Sequence, residues 1–265
     1  MSASITLKLE YKFELPCPAL GRAFIVLNKV TNLQSQEVCS YRSPWHTDCI
    51  QTDVETFIMK IVTIASGKGG SCKSTTTLCL AAILSEKHKV LVADTDPQGS
   101  LGWVADRSEA GFDVVSETNQ KILARLHEIG GYDFLLCDTP PALSSEALEV
   151  TVKLSDFAVL PSPTSPLDIR ELTRTIKEVI APLGTPYRVL LARVDSRRIN
   201  EALTIQSQLM AAGVPTFNAI ARNFVAHERS IVEGKLITQY KGSGAKDAAD
   251  DYRRVASELL REMGV

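Results

Sequence analysis

The sequence predicts an α/β fold in three layers, a mostly parallel sheet covered by helices on both faces. Short apolar runs rich in valine, isoleucine and leucine recur from residue 60 onward, the pattern of strands buried on both sides. Stretches with apolar residues at helical spacing fill the intervals, and this alternation marks parallel strands joined by crossover helices. The chain has 265 residues, 45% hydrophobic and 23% charged, enough for one large core and unlike a disordered composition.

Ile61 to Ala65 reads as the first core strand, and Ser74 to Ser85 as the helix after it, with Leu78, Ala81, Ala82 and Leu84 on helical spacing. Between them lies A-S-G-K-G-G-S-C-K-S-T-T-T, Ala65 to Thr77. Val90 to Ala93 is a second strand, ending in Asp94-Thr95-Asp96-Pro97-Gln98-Gly99. Phe134 to Cys137 is a third, ending in Asp138-Thr139-Pro140-Pro141. Phe157 to Leu160 is a fourth, leading into Pro161-Ser162-Pro163-Thr164-Ser165-Pro166-Leu167-Asp168. Tyr187 to Val194 and Thr216 to Ile220 complete the strands. Further helix-period runs cover Leu172 to Ile180, Ala202 to Met210 and Tyr252 to Met263.

The glycine-rich stretch between strand and helix is where a nucleotide phosphate is expected. Gly67, Gly69 and Gly70 can take positive φ without a Cβ clash, so that successive N–H groups converge on phosphate oxygens, and the following helix adds its positive end. Lys73 supplies a fixed cation, and Ser74 a hydroxyl where Mg²⁺ bridging the outer phosphates would be held. Ser71, Cys72 and Thr75 complete the cradle. In an open parallel sheet the strand ends face one crevice, which places Asp94, Asp96 and Asp138 beside the loop.

The segment from Lys68 to Ser74 departs from the ordinary G-x-x-x-x-G-K-[ST] pattern and resembles the deviant Walker A box, K-G-G-x-x-K-[ST], of the ParA/MinD family of P-loop ATPases. The resemblance spans about Lys60 to the C-terminus. It implies ATP and Mg²⁺ as cofactors and a homodimer that sandwiches two ATPs, with Lys68 crossing to the other subunit's nucleotide and Lys73 holding phosphate within its own. It also implies that Asp138 is a Walker B aspartate holding Mg²⁺ through water, that Asp96 of the D-x-D-P-Q switch orients the attacking water, and that Asp94 sits near the metal shell. D-T-P-P looks like the second switch. Two departures matter. Relatives have glycine where this chain has Cys72, and commonly an asparagine touching adenine where it has Ala192-Arg193, so base contacts stay unassigned. A thiol beside Lys73 and a helix N-terminus is expected to have a lowered pKa and to react with oxidants; the plainer reading is a small side chain tolerated in a slightly altered loop.

The function implied is a slow ATPase that partitions or positions cargo, either plasmid or chromosome DNA or a large protein assembly. It would use non-specific DNA as matrix and be stimulated by a ParB-like or adaptor partner. Residues 188–265 hold 12 basic and 9 acidic side chains, against 17 and 22 in the rest. That makes Arg193, Arg197, Arg198, Arg222, Arg229, Arg253 and Arg254 candidates for salt-sensitive phosphate contacts. The alternatives are a nucleotide-gated switch with little catalysis and a MinD-like membrane-surface ATPase. The tail from Asp250 to Glu262 mixes both charges and reads as a domain-packing helix rather than a basic membrane helix. No apolar stretch approaches the ~20 residues that span a bilayer, and the N-terminus lacks a signal pattern, so the expected location is cytoplasmic and nucleoid-associated. Six cysteines, at positions 17, 39, 49, 72, 79 and 137, form no C-x-x-C pair.

Residues 59–265 are expected to form the ATPase domain and 1–58 an N-terminal extension. Ile5, Leu7, Leu9, Tyr11, Phe13 and Leu15 alternate with polar residues, and Ala23 to Leu27 could pair with them as a hairpin after Pro16-Cys17-Pro18. The other reading is an upstream mis-start, with Met59, one residue before the first core strand, as the natural beginning.

Overall fold

The computed structural model describes residues 8–15, 23–30, 39–40, 51–52, 59–96, 99–141 and 146–265. By contacts the chain divides into two units, Met1–Ile58 and Met59–Val265. In the first, β1 (Lys8–Leu15) pairs antiparallel with β2 (Ala23–Val30), Lys8 opposite Val30 and Leu15 opposite Ala23. β3 (Cys39–Ser40) pairs with β4 (Gln51–Thr52). Ile5 and the Pro16-Cys17-Pro18 break lie outside the described residues.

The second unit runs β5 (Lys60–Ile64), α1 (Lys73–Leu84), β6 (Val90–Asp94), α2 (Ser100–Arg107), β7 (Asp113–Ser116), α3 (Gln120–Leu123), β8 (Phe134–Asp138), α4 (Glu146–Leu154), β9 (Phe157–Ser162), α5 (Pro166–Thr175), α6 (Ala181–Leu183), β10 (Tyr187–Leu191), α7 (Ile199–Ala211), α8 (Ala226–Val232) and α9 (Ala245–Met263). The sheet order is β10-β9-β5-β8-β6-β7, parallel at every pairing. Strand side chains alternate between faces. Val62, Ile64, Val92 and Leu136 pack with α1 and α9, whereas Ile61, Leu91, Leu135 and Cys137 pack on the opposite side with Leu123 and Ala147. Helix α1 is buried on nearly every side because it lies between the sheet and α9, and from Leu78 to Leu84 it is wholly apolar.

Three elements differ from the sequence reading. Strand β7 is an added edge strand whose residues are largely exposed, so no apolar run announces it. The segment Thr216 to Ile220 is not a strand. It touches β10 through an isolated bridge at Val189–Thr216, and a second bridge, Val194–Arg222, follows beyond both segments. Between them the N–H groups of Asn218 and Ala219 donate to the Glu258 carboxylate at 2.8 and 2.7 Å, and the Gln206 amide donates to the Phe217 carbonyl at 2.7 Å. Side chains thus take the polar groups a ladder would have used, which also blunts the sheet edge. The helix expected over Leu172 to Ile180 starts earlier, at Pro166, with Ser165 as N-cap, and passes into a π turn at Ile176–Ile180.

Candidate functional site

Strand register brings the expected strand ends to one level. Ile64 pairs with Asp138, and Asp138 with Asp94. β8 and β9 flank β5 on opposite sides, so the loop leaving Ile64 emerges where the chain order reverses, the place where open parallel sheets take ligands.

The loop is a nest of backbone donors. Gly70 and Cys72 are both left-handed, with φ of 73° and 69°. Glycine adopts that region freely, whereas the Cys72 Cβ costs about 1–2 kcal/mol. A glycine at position 72 would meet this backbone demand freely, whereas this chain meets it with strain. Cys72 is the N-cap of α1 and makes no side-chain cap bond, and no acidic residue lies in the first turn. The positive helix end is left to an external anion. Lys73, only 6% exposed, points its Nζ at the Lys68 carbonyl at 3.2 Å, which also accepts the Ser71 hydroxyl at 3.0 Å. Burial lowers the Lys73 pKa, against the pull of Asp138 and Asp96.

Beneath the loop, Asp138 is buried and accepts from Ser74 Oγ at 2.7 Å, with Thr77 Oγ1 at 3.2 Å. Burial pushes its carboxyl up to about 6, against the hydroxyl of Ser74. Thr77 Oγ1 also lies 3.1 Å from the Lys73 carbonyl, and its single proton serves one acceptor at a time. A carboxylate coupled to a hydroxyl beneath a phosphate nest fits an ion that takes its remaining ligands from phosphate and water. Asp94 engages both oxygens with backbone, accepting the Asp96 N–H at 3.2 Å and the Leu101 N–H at 3.0 Å. It therefore ties the start of α2 to the strand end, and burial raises its pKa. Asp96 is half-buried at the crevice; Pro97 and Gln98 of the first switch lie outside the described residues.

Lys68 faces the other way. Its Nζ meets Asp168 Oδ1 at 2.5 Å, with the lysine side chain 44% exposed. Asp168 is fixed in turn by Ser165, whose Oγ donates to it at 2.6 Å, and these bonds hold its pKa low against partial burial. Asp168 was read only as the last residue of the proline-containing segment after the fourth strand; its contact with Lys68 had no sequence signal. Gly67 N–H donates to Thr175 Oγ1 at 3.1 Å, also unforeseen. Arg193, left-handed at φ 54°, donates from Nη1 to the Gly70 carbonyl at 3.3 Å. It separates a cavity of about 250 Å³ beside Cys72, Thr75, Asn223 and Phe224 from one of about 480 Å³ beside Lys68, Gly69 and Asp168.

Of the two readings of Cys72, the structure favours the plainer one. The Cys72 thiol is not activated: burial pushes its pKa up to about 11, outweighing the opposing charges of Arg193 and Lys73. Cys79 and Cys137 are buried and their pKa values are likewise raised by burial. Among the candidate DNA-contacting arginines, Arg222 is built into the scaffold, donating from Nε and Nη2 to Asp251 at 2.8 Å each. Arg253 reaches Glu86 at 2.6 Å, Arg197 pairs with Asp195, and Arg198 with Glu201.

The model of the CobQ/CobB/MinD/ParA nucleotide binding domain matches residues 62–236. The chain is 47% identical over 205 residues to the "Maintenance of carboxysome distribution protein A" of Gloeobacter kilaueensis, covering 77% of this chain and 95% of that protein. It is 28% identical to the chromosome-partitioning ATPase Soj of Thermus thermophilus, covering 75% of this chain and 94% of that one. In fold it is similar to a Cyanothece McdA variant in complex with ATP, with TM-score 0.62 and 22% identity over 76% of this chain and 96% of that chain. A plasmid partition protein of Borrelia burgdorferi bound to AMPPNP gives TM-score 0.59 and 19% identity, over 77% and 99%.

Proposed function

The chain belongs to the CobQ/CobB/MinD/ParA family of nucleotide-binding domains, and from that premise we propose that it is a Mg-ATP-dependent, dimerising ATPase that distributes a large protein assembly over non-specific DNA. The observation that carries the reading is the coupling of Ser74 to Asp138 beneath an open nest with Lys73 buried beside it. Identity to a carboxysome distribution protein favours a protein assembly as cargo over a plasmid or chromosome.

Lys73 would exchange the Lys68 carbonyl for phosphate oxygens, and the nest would take the remaining phosphate charge. Bound Mg²⁺ neutralises charge on the outer phosphates; Ser74 would hold it directly and Asp138 through water. Asp96 would orient the attacking water, and Asp94 would keep that switch in place through Leu101. Lys68 would leave Asp168 and reach the partner's nucleotide. The γ-phosphate is then a differential ligand, favouring ordered switches and a closed dimer until hydrolysis. A ParB-like or adaptor protein would speed that step, and the basic C-terminal third would hold DNA through phosphate contacts.

A membrane-surface role fits less well. Helix α9 spends its apolar face, Tyr252, Val255, Ala256 and Leu259, in the core with α1, and no helix among the described residues is long and apolar enough to cross a membrane. Cys72 favours one second reading, a nucleotide-gated switch with little turnover; bound nucleotide recovered as ATP after long incubation would support it. The test of the main reading is binding to non-specific duplex DNA with ATP, with ADP and without nucleotide, using Asp96→Ala to hold the ATP state. Binding only with ATP and weakened by salt is expected. Equal binding in all states, or none, would refute the DNA-matrix reading.

A further inference from the structure

Helix α5 touches the loop at two consecutive residues. Near its start Asp168 takes the Lys68 side chain, and at its end Thr175 takes the Gly67 backbone N–H. Seven residues apart, these side chains lie on one helix face about 10 Å apart along the axis. Thr175 is 1% exposed, and its hydroxyl is doubly committed, lying 2.9 Å from the Glu171 carbonyl, to which it donates, so that its lone pairs face Gly67. The α-helix gives way to a π turn at the next residue, Ile176, an irregularity that concentrates at functional sites. The N–H of Gly67 is therefore turned toward α5, while the nest at Gly70 to Cys72 lies on the α1 side of the loop.

We propose that Thr175 is a positioning residue for Lys68: by holding Gly67 it fixes the backbone from which the Lys68 side chain leaves. It would thereby set the reach of that lysine to a second copy of this chain without touching nucleotide itself. The inference rests on the reading of Lys68 as the residue that crosses the dimer. Valine removes the hydroxyl at nearly constant volume, and serine keeps it.

Three readouts on the full chain test this: exchange of the Gly67 amide without nucleotide, affinity for an ATP analogue, and the ATP-dependent dimer constant. In Thr175→Val the Gly67 amide exchanges about tenfold faster and the dimer weakens about tenfold, the scale of one buried hydrogen bond. Nucleotide affinity of the monomer stays within about twofold, and Thr175→Ser restores wild-type values. In a Lys68→Ala background, which forms no ATP dimer, Thr175→Val still speeds Gly67 exchange about tenfold, because that bond belongs to the monomer. A Thr175→Val protein that dimerises like wild type, loses nucleotide and dimer affinity in equal proportion, or is not rescued by serine overturns the proposal. If the wild-type chain does not dimerise with ATP, the Lys68 reading fails first, and unchanged Gly67 exchange would then remove the role of Thr175 as well.

Discussion

The two ends of the phosphate loop are built to opposite specifications. At the α1 end Lys73 is 6% exposed, its Nζ donates to the Lys68 carbonyl at 3.2 Å, and burial lowers its pKa. At the α5 end the Lys68 side chain is 44% exposed and its partner is a single carboxylate. A surface ion pair of that kind contributes at most about 1 kcal/mol, so it can be exchanged for another anion at little cost. Lys73 is instead a buried cation whose Nζ is held by the Lys68 carbonyl beside the buried Asp138 carboxyl, and a buried charge kept at the cost of its desolvation is not exchanged as a surface pair is. On the proposed function, the buried lysine would serve this chain's own nucleotide and the exposed one would be free to exchange its partner. Sequence spacing alone does not distinguish them; burial does.

That contrast can be broken from either end. The largest expected effect is at Lys73: Lys73→Ala should weaken ATP-analogue binding about 100-fold by calorimetry, from loss of charge-assisted bonds to phosphate, and a change under threefold would contradict its placement. Asp96→Ala should lower hydrolysis about 100-fold with analogue affinity unchanged; comparable losses of both would make Asp96 a binding residue. Next comes pH. Because the Asp138 carboxyl titrates at about 6 and Mg²⁺ needs it ionised, the gain in nucleotide affinity from Mg²⁺ should fall about tenfold per pH unit below that value. Asp138→Asn should flatten the profile. The sign for the free protein is opposite: a carboxyl raised by folding binds a proton sooner in the native state, so nucleotide-free stability rises as pH falls from about 6 toward the unfolded carboxyl range. The smallest effect is at Cys72. Cys72→Gly removes ~1–2 kcal/mol of left-handed strain and adds a chain-entropy cost of ~0.5–1 kcal/mol, so urea unfolding should show a gain of up to about 1.5 kcal/mol. A loss would mean that the Cys72 side chain contributes packing that outweighs its strain.

The core strands and the loop were legible because buried parallel strands are written as continuous apolar runs and a phosphate nest needs glycine between strand and helix. Asp94, Asp96 and Asp138 were legible as strand-end carboxylates. The edge was not: β7 carries little apolar signal, and the stretch after Thr216 has strand composition but gives the N–H groups of Asn218 and Ala219 to Glu258. For the Cys72 thiol, charge and helix position argue for a low pKa and burial for a high one, and the packed structure shows that burial outweighs them. Asp168 and Thr175 are separated from the loop by 100 and 108 residues, and nothing local to either residue announces its partner.

The measurement that tests the division of labour most directly is the mass in solution, by sedimentation, of wild type and Lys68→Ala with ATP and with ADP, each with its nucleotide affinity determined in parallel. Wild type should double its mass with ATP and not with ADP, while Lys68→Ala binds ATP within about threefold of wild type, the ~0–1 kcal/mol expected of a surface pair, and stays monomeric. A Lys68→Ala protein that still forms the ATP-dependent dimer, or that loses nucleotide as severely as Lys73→Ala, would contradict the assignment of the two lysines to different subunits' nucleotides.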